Sequence, residues 1–252
     1  MIDIHCHLAF PGLNEIKDKV INEAKKSMDA IITCGLSRDF EKTLEVSGKY
    51  SGFVYATLGI HPEDIINMTD DEMEKNLEFI RNHSDDIVAI GEIGLDGHLQ
   101  LDSKSKERTE VVFMRLLQLS NELDIPVILH SRKAEDEVLN AVLEEKIKSA
   151  VFHCYTGNMT IANRIIENGY HISLATNISN SKNCTKIARR FPLERLMSET
   201  DSPFLSPIKG KLNIPSNVRY VIERIAEERN MEFEVVETEI DKNIANFFNL
   251  DI

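Results

Sequence analysis

Short apolar runs rich in β-branched and aromatic residues alternate along the chain with longer segments of helical period. Strands are predicted at residues 2–8, 30–34, 52–58, 87–91, 126–130, 150–153, 170–174 and 195–199, the last placed mainly by spacing. Between them apolar residues return at helical spacings, as with Val111, Met114, Leu117 and Leu123 within 105–123. Further helices are expected over 133–146, 159–168 and 217–229, with a closing helix at 233–249. Eight strand–helix units imply a parallel sheet, and eight is the number that closes a barrel. The expected fold is a single (β/α)8 barrel spanning residues 1–252 as one domain, since no Pro/Gly/Ser-rich linker divides the chain. An open doubly wound sheet is the structural alternative.

Composition adds limits. The chain has 252 residues, 42% hydrophobic and 28% charged, which supplies a sizeable apolar core. No apolar run approaches a membrane span, and no basic leader or cleavage site precedes the first strand. Cys6, Cys34, Cys154 and Cys184 are scattered and form no CxxC pair, so the expected setting is the reducing cytoplasm. A net charge of −13 disfavours broad binding to a polyanion. A nucleic-acid substrate would have to be gripped locally, with help from metals.

The first strand carries the clearest chemistry. A period of two puts Asp3, His5 and His7 on one face and Ile2, Ile4, Cys6 and Leu8 on the other. Two imidazoles at i and i+2 near a strand's C-terminal end suit a metal chelate, although hydrogen-bonded core histidines are the plainer reading of this run alone. Other strand ends decide between them. Glu92, His130, His153 and Asp201 each follow or end a predicted strand on the face where such barrels carry their chemistry. Four histidines and two carboxylates exceed the needs of one tetrahedral ion. They suit two divalent cations, with His5, His7 and Asp201 on one, His130 and His153 on the other, and Glu92 between. Such a pair activates water, and Asp201 is placed to take its proton as general base. Mixed nitrogen and oxygen donors suit Zn or Mn better than Mg, though phosphate oxygens and water can complete a Mg site.

These residues resemble the TatD family of metal-dependent deoxyribonucleases, within the amidohydrolase superfamily. The matching blocks are Ile2-Asp3-Ile4-His5-Cys6-His7-Leu8, Gly59-Ile60-His61-Pro62, Gly91-Glu92-Ile93-Gly94-Leu95-Asp96 and Leu129-His130-Ser131-Arg132. They continue with Phe152-His153-Cys154-Tyr155-Thr156-Gly157, Glu199-Thr200-Asp201-Ser202-Pro203-Phe204-Leu205-Ser206-Pro207 and the closing Asn243-Ile244-Ala245-Asn246-Phe247-Phe248. The resemblance implies a TIM barrel, divalent metals, and hydrolysis of phosphodiester bonds at DNA ends in the 3′→5′ direction. It implies the same six ligands and catalytic roles for Asp201 and Glu92. His61, within a family block, is expected to contact substrate phosphate or leaving group, and Arg132, directly after a ligand, to clamp a phosphate; a loop histidine making backbone hydrogen bonds and a surface ion pair are their plainer readings. The chain departs from the family pattern at Gly97-His98, where an aromatic pair is common, and at Leu212-Asn213-Ile214-Pro215, where Arg-Asn-Glu-Pro is common. Both departures bear on the substrate and leave the ligands intact.

Three rival readings are weaker. Histidinol-phosphatase-like phosphoesterases open with a similar run but use more histidines and lack the Gly-Glu-Ile-Gly and Glu-Thr-Asp-x-Pro blocks. Many C–N amidohydrolases bridge their metals with a modified lysine where Glu92 stands here. A binding protein on an inactive barrel would be missing a ligand, and none is missing. A metal-dependent phosphoesterase or amidohydrolase acting on a small molecule is the remaining alternative. No obligate protein partner is evident.

Overall fold

The computed structural model describes residues 1–252. Its eight strands are β1 (Ile2–Cys6), β2 (Ala30–Gly35), β3 (Val54–Leu58), β4 (Ala89–Gly94), β5 (Val127–His130), β6 (Ala150–Phe152), β7 (His171–Leu174) and β8 (Leu196–Ser198). All are parallel and lie in chain order, forming the predicted (β/α)8 TIM barrel. The helices are α1 (Lys17–Ala24), α2 (Phe40–Lys49), α3 (Pro62–Ile65), α4 (Asp70–Asn82), α5 (Ser103–Leu123), α6 (Glu135–Glu144), α7 (Met159–Glu167), α8 (Lys182–Arg190), α9 (Arg219–Arg229) and α10 (Phe233–Phe248). Their apolar faces and the strands share one cluster of 69 buried residues, so the barrel has a continuous core.

The seam between β1 and β8 closes through the loop that follows β8. His7 N donates to Ser202 O at 2.7 Å, and Asp201 N donates to His5 O at 2.9 Å. Asp3 accepts from Thr200 N at 2.9 Å and from Thr200 Oγ1 at 2.6 Å.

Local chemistry sets the helix starts. Thr69 and Glu72 form a capping box that opens α4. Asp102 accepts from Ser105 N, which starts α5 two residues ahead of the predicted boundary. A 3-10 turn at Pro215–Val218 takes the first positions predicted for α9.

Two strand boundaries change the reading of the site. β4 was expected to end at Gly91, but pairing continues to Gly94, so Glu92 lies inside the strand. The apolar run stops at a carboxylate, although backbone pairing does not. β1 ends at Cys6, and strict alternation fails within it. Asp3 pairs with Ile31 and Cys6 with Thr33, three residues on β1 against two on β2. β4 repeats the device, with Ile90 opposite Val127 and Ile93 opposite Leu129. Such irregularities re-aim side chains near functional sites, and here they bracket His5 and Glu92.

Candidate metal centre

The six proposed ligands come together at the C-terminal mouth. Glu92 sits at their centre. Its Oε1 lies 2.6 Å from His130 Nδ1 and 2.7 Å from His153 Nε2. Its Oε2 lies 3.4 Å from His5 Nε2 and 4.0 Å from His7 Nε2. Asp201 Oδ1 stands 3.7 Å and 3.6 Å from the same two nitrogens. The two oxygens of one carboxylate therefore face two separate sets of donors. His5, His7, Glu92 and His153 are buried, while His130 and Asp201 are partly open to the mouth.

Burial works against the charge of Glu92, but the facing imidazoles, led by His153 and His61, more than offset it. They hold its carboxyl well below the usual carboxylate range.

The donor set fits divalent cations. The His5 and His7 Nε2 atoms point at each other across 3.2 Å, and the His5, Glu92 and His153 donor atoms lie within 4.8 Å of one another. Imidazole nitrogens converging on carboxylates inside a buried cup suit a shared cation better than a hydrophobic core. His61, Glu92 and His130 form a second close group, but His61 Nδ1 accepts from Glu63 N at 3.2 Å and caps α3. A neutral imidazole that accepts at Nδ1 carries its proton on Nε2, and that Nε2 points toward Glu92 Oε1 at 3.7 Å. His61 is thus presented as a donor. The expected backbone hydrogen bond is present, and the free ring nitrogen faces the central carboxylate.

Arg132 is exposed beside a mouth cavity of about 660 Å³ and pairs with no carboxylate there. His98 is exposed in the same mouth, with its Nδ1 3.3 Å from Lys133 Nζ. His171 packs against Phe247 with ring centroids 5.2 Å apart and His83 pairs with Asp86, both away from the centre.

Three contributors were not read from the sequence. Asp96 Oδ2 lies 3.0 Å from His130 Nε2, and Glu199 Oε1 lies 3.4 Å from His153 Nδ1. Carboxylates behind ligating histidines fix the tautomer and ring orientation. Their position inside the quoted Gly-Leu-Asp and Glu-Thr-Asp blocks was the available signal. Cys34 Sγ accepts from Glu92 N at 3.1 Å and donates to Gly91 O at 3.2 Å, pinning the backbone that carries the central carboxylate. Asp3 shares a predicted face with His5 and His7, yet it turns to the seam and bonds Thr200.

Glycines make room for this geometry. A Cβ on Gly59 would stand 2.5 Å from Glu92 O, and one on Gly94 would stand 1.9 Å from His130 O. The site needs backbones closer together than any side chain permits.

Known proteins share this plan. The family model for TatD related DNase matches residues 2–249. An uncharacterized metal-dependent hydrolase of Methanocaldococcus jannaschii is 38% identical over 248 residues, covering 98% of this chain and 96% of the relative. The Homo sapiens protein named deoxyribonuclease TATDN3 is 32% identical over 258 residues, covering 98% of this chain and 94% of its own. The crystal structure of the TatD homolog YjjV from Escherichia coli superimposes with a TM-score of 0.90 at 27% identity, covering 99% of this chain and 98% of that one. On the match that runs nearly end to end, the chain belongs to the TatD related DNase family.

Proposed function

We propose that this metal-dependent hydrolase cuts phosphodiester bonds at DNA ends, removing nucleotides from the 3′ end, with residues 1–252 working as one unit. The observation that carries the reading is the division of labour at Glu92. One oxygen faces His130 and His153, while the other faces His5 and His7, with Asp201 beside them. His5, His7, Glu92, His130, His153 and Asp201 would hold two divalent cations, Zn, Mn or Mg, which when bound would supply water activation and positive charge for a phosphoryl oxygen.

The chain's own residues do the rest. Asp201 is the partly open carboxylate at the mouth and takes the proton from the attacking water. The Nε2–H of His61 points into the same space and donates to the phosphate or its leaving oxygen. Arg132, free of any ion pair, offers a guanidinium fork to a phosphate. These local cations and donors answer the problem that a net charge of −13 sets for a polyanionic substrate.

The test is hydrolysis of short single-stranded DNA labelled at either end, after reconstitution of metal-free protein with Mg, Mn, Co or Zn. Asp201→Asn serves as the control. Stepwise shortening from the 3′ end, absent in the control, is the expected result. Protein that holds about two ions per chain yet digests no DNA would keep the hydrolase and remove this substrate. Small phosphate esters and amides would then be assayed.

A further inference from the structure

The mouth mixes charged and apolar side chains, Phe10, Leu36, Tyr155 and Phe204 among the latter. Phe204 is 45% exposed, three residues beyond Asp201, and lines the same cavity as His7, Arg38 and Arg132. One exposed ring means little by itself, but here it joins Phe10 in an aromatic pair beside a charged centre.

The ring is not loose. Phe204 N donates to Asp201 O at 2.9 Å. Buried Asn213 Nδ2 donates to Phe204 O at 2.7 Å and to Thr200 O at 2.9 Å. Thr176 Oγ1 donates to Leu205 O at 2.6 Å. The loop that sets Asp201 therefore also sets Phe204. On its flanks, Phe204 meets Phe10 edge-on at 5.1 Å and His7 at 6.0 Å between centroids. The Arg38 guanidinium lies 5.6 Å over the Phe10 ring. An aromatic surface thus stands next to a proposed metal ligand, with a cation on its far side.

We propose that Phe204, backed by Phe10, is a stacking platform for the unpaired terminal base of the strand being cut. This rests on the DNA reading above and deepens it. A phosphate held at the centre carries its base within one sugar's span, and the ring at 6.0 Å from His7 lies within that reach. Stacking tolerates any base, because every base has a π-face, and it requires the base to be out of the duplex. The site therefore selects frayed or single-stranded ends without reading sequence. Arg38, which keeps only a 3.5 Å contact to Asp64, is placed to meet the next phosphate.

The test compares metal-loaded enzyme on two single-stranded oligonucleotides, one ordinary and one with abasic sugars at both ends. Base–aromatic stacking of roughly 1–3 kcal/mol predicts that the wild type prefers the ordinary strand by about 5- to 150-fold in kcat/KM. In Phe204→Ala this ratio should collapse toward one, and Phe204→Trp should restore it. A ratio that Phe204→Ala leaves at the wild-type value would overturn the platform while DNA hydrolysis itself stands. Failure of the wild type to cut either oligonucleotide, with turnover of bis(p-nitrophenyl) phosphate intact, would overturn the DNA reading and the platform with it.

Discussion

His153 is held between two carboxylates: its Nε2 lies 2.7 Å from Glu92 Oε1, and its Nδ1 lies 3.4 Å from Glu199 Oε1. Glu199 is fully buried and is itself held by Ser173 Oγ at 2.6 Å. The imidazole faces the centre with Nε2, and Glu199 stands behind its Nδ1 as a charge contact without a hydrogen bond. Glu199→Gln should weaken binding of the cation on the His130–His153 side by roughly 10–100-fold. Competition with a chelator of known affinity checks this. Unchanged affinity in a folded variant would mean that Glu199 only fills the core. Asp96→Asn, behind His130, should act in the same direction.

Glu92 and Asp201 should separate binding from turnover. Glu92→Ala removes the carboxylate that faces both donor sets, so both ions should be lost and turnover with them. The barrel should remain folded, because its core of 69 buried residues does not depend on the cations. Circular dichroism and metal analysis together test this, and a variant unfolded at ordinary temperature would refute it. Asp201→Asn keeps an oxygen donor, so it should retain much of the metal and lose most of the rate. Equal loss of metal and rate would make Asp201 chiefly a ligand.

Gly94 has φ +148°, and an added Cβ would fall 1.9 Å from His130 O. Gly94→Ala must push β5 away or bend β4. A cost of roughly 3 kcal/mol or more follows from the clash and backbone strain together, a fall of about 10 °C in Tm. Activity should drop further than stability requires, since His130 moves with its carbonyl. A Tm within a degree or two of wild type would show that the strands yield easily.

Acid stability should carry the mark of His171. Burial, helped by Arg195, pushes this imidazole down to about 4. Its folded value is below the ordinary one near 6.5, so the neutral form is favoured on folding. The group's contribution is complete above pH 6.5 and is lost as pH falls from there through about 4. The loss is on the order of 3 kcal/mol at most. His171→Leu cannot take up the proton, so its stability relative to wild type should rise as pH is lowered from 7 to 4. Denaturant melts at several pH values measure that difference, and a constant difference would count against the assignment.

Much of the fold, and the gathering of the six proposed ligands at one mouth, was legible because two regular signals coincided. β-rich runs gave eight strands, and the ionisable residues fell repeatedly at their C-terminal ends. Glu92 shows where the signal ran out: hydrophobicity ends at Gly91, whereas pairing runs to Gly94. Asp3 shows a second limit. Alternation grouped it with His5 and His7, but the irregular pairing of β1 and the demands of the seam send it to Thr200. Asp96, Glu199 and Cys34 act only through other residues, and such contacts depend on which strands face each other. The short helices α1, α2 and α8 were not individually predicted; α1 and α8 carry few apolar residues to mark a helical period.

The seam has a consequence for when the protein becomes dangerous. His5 and His7 emerge near the beginning of synthesis, whereas Asp201, which bonds His5, and Thr200, which bonds Asp3, come almost two hundred residues later. A chain that lacks its last strand therefore holds five of the six proposed ligands but not the seam that aligns them. Competence arrives all at once, when the last strand docks on the first. The centre is therefore a product of barrel closure, since the same contacts that shut the seam bring Asp201 beside His5 and His7.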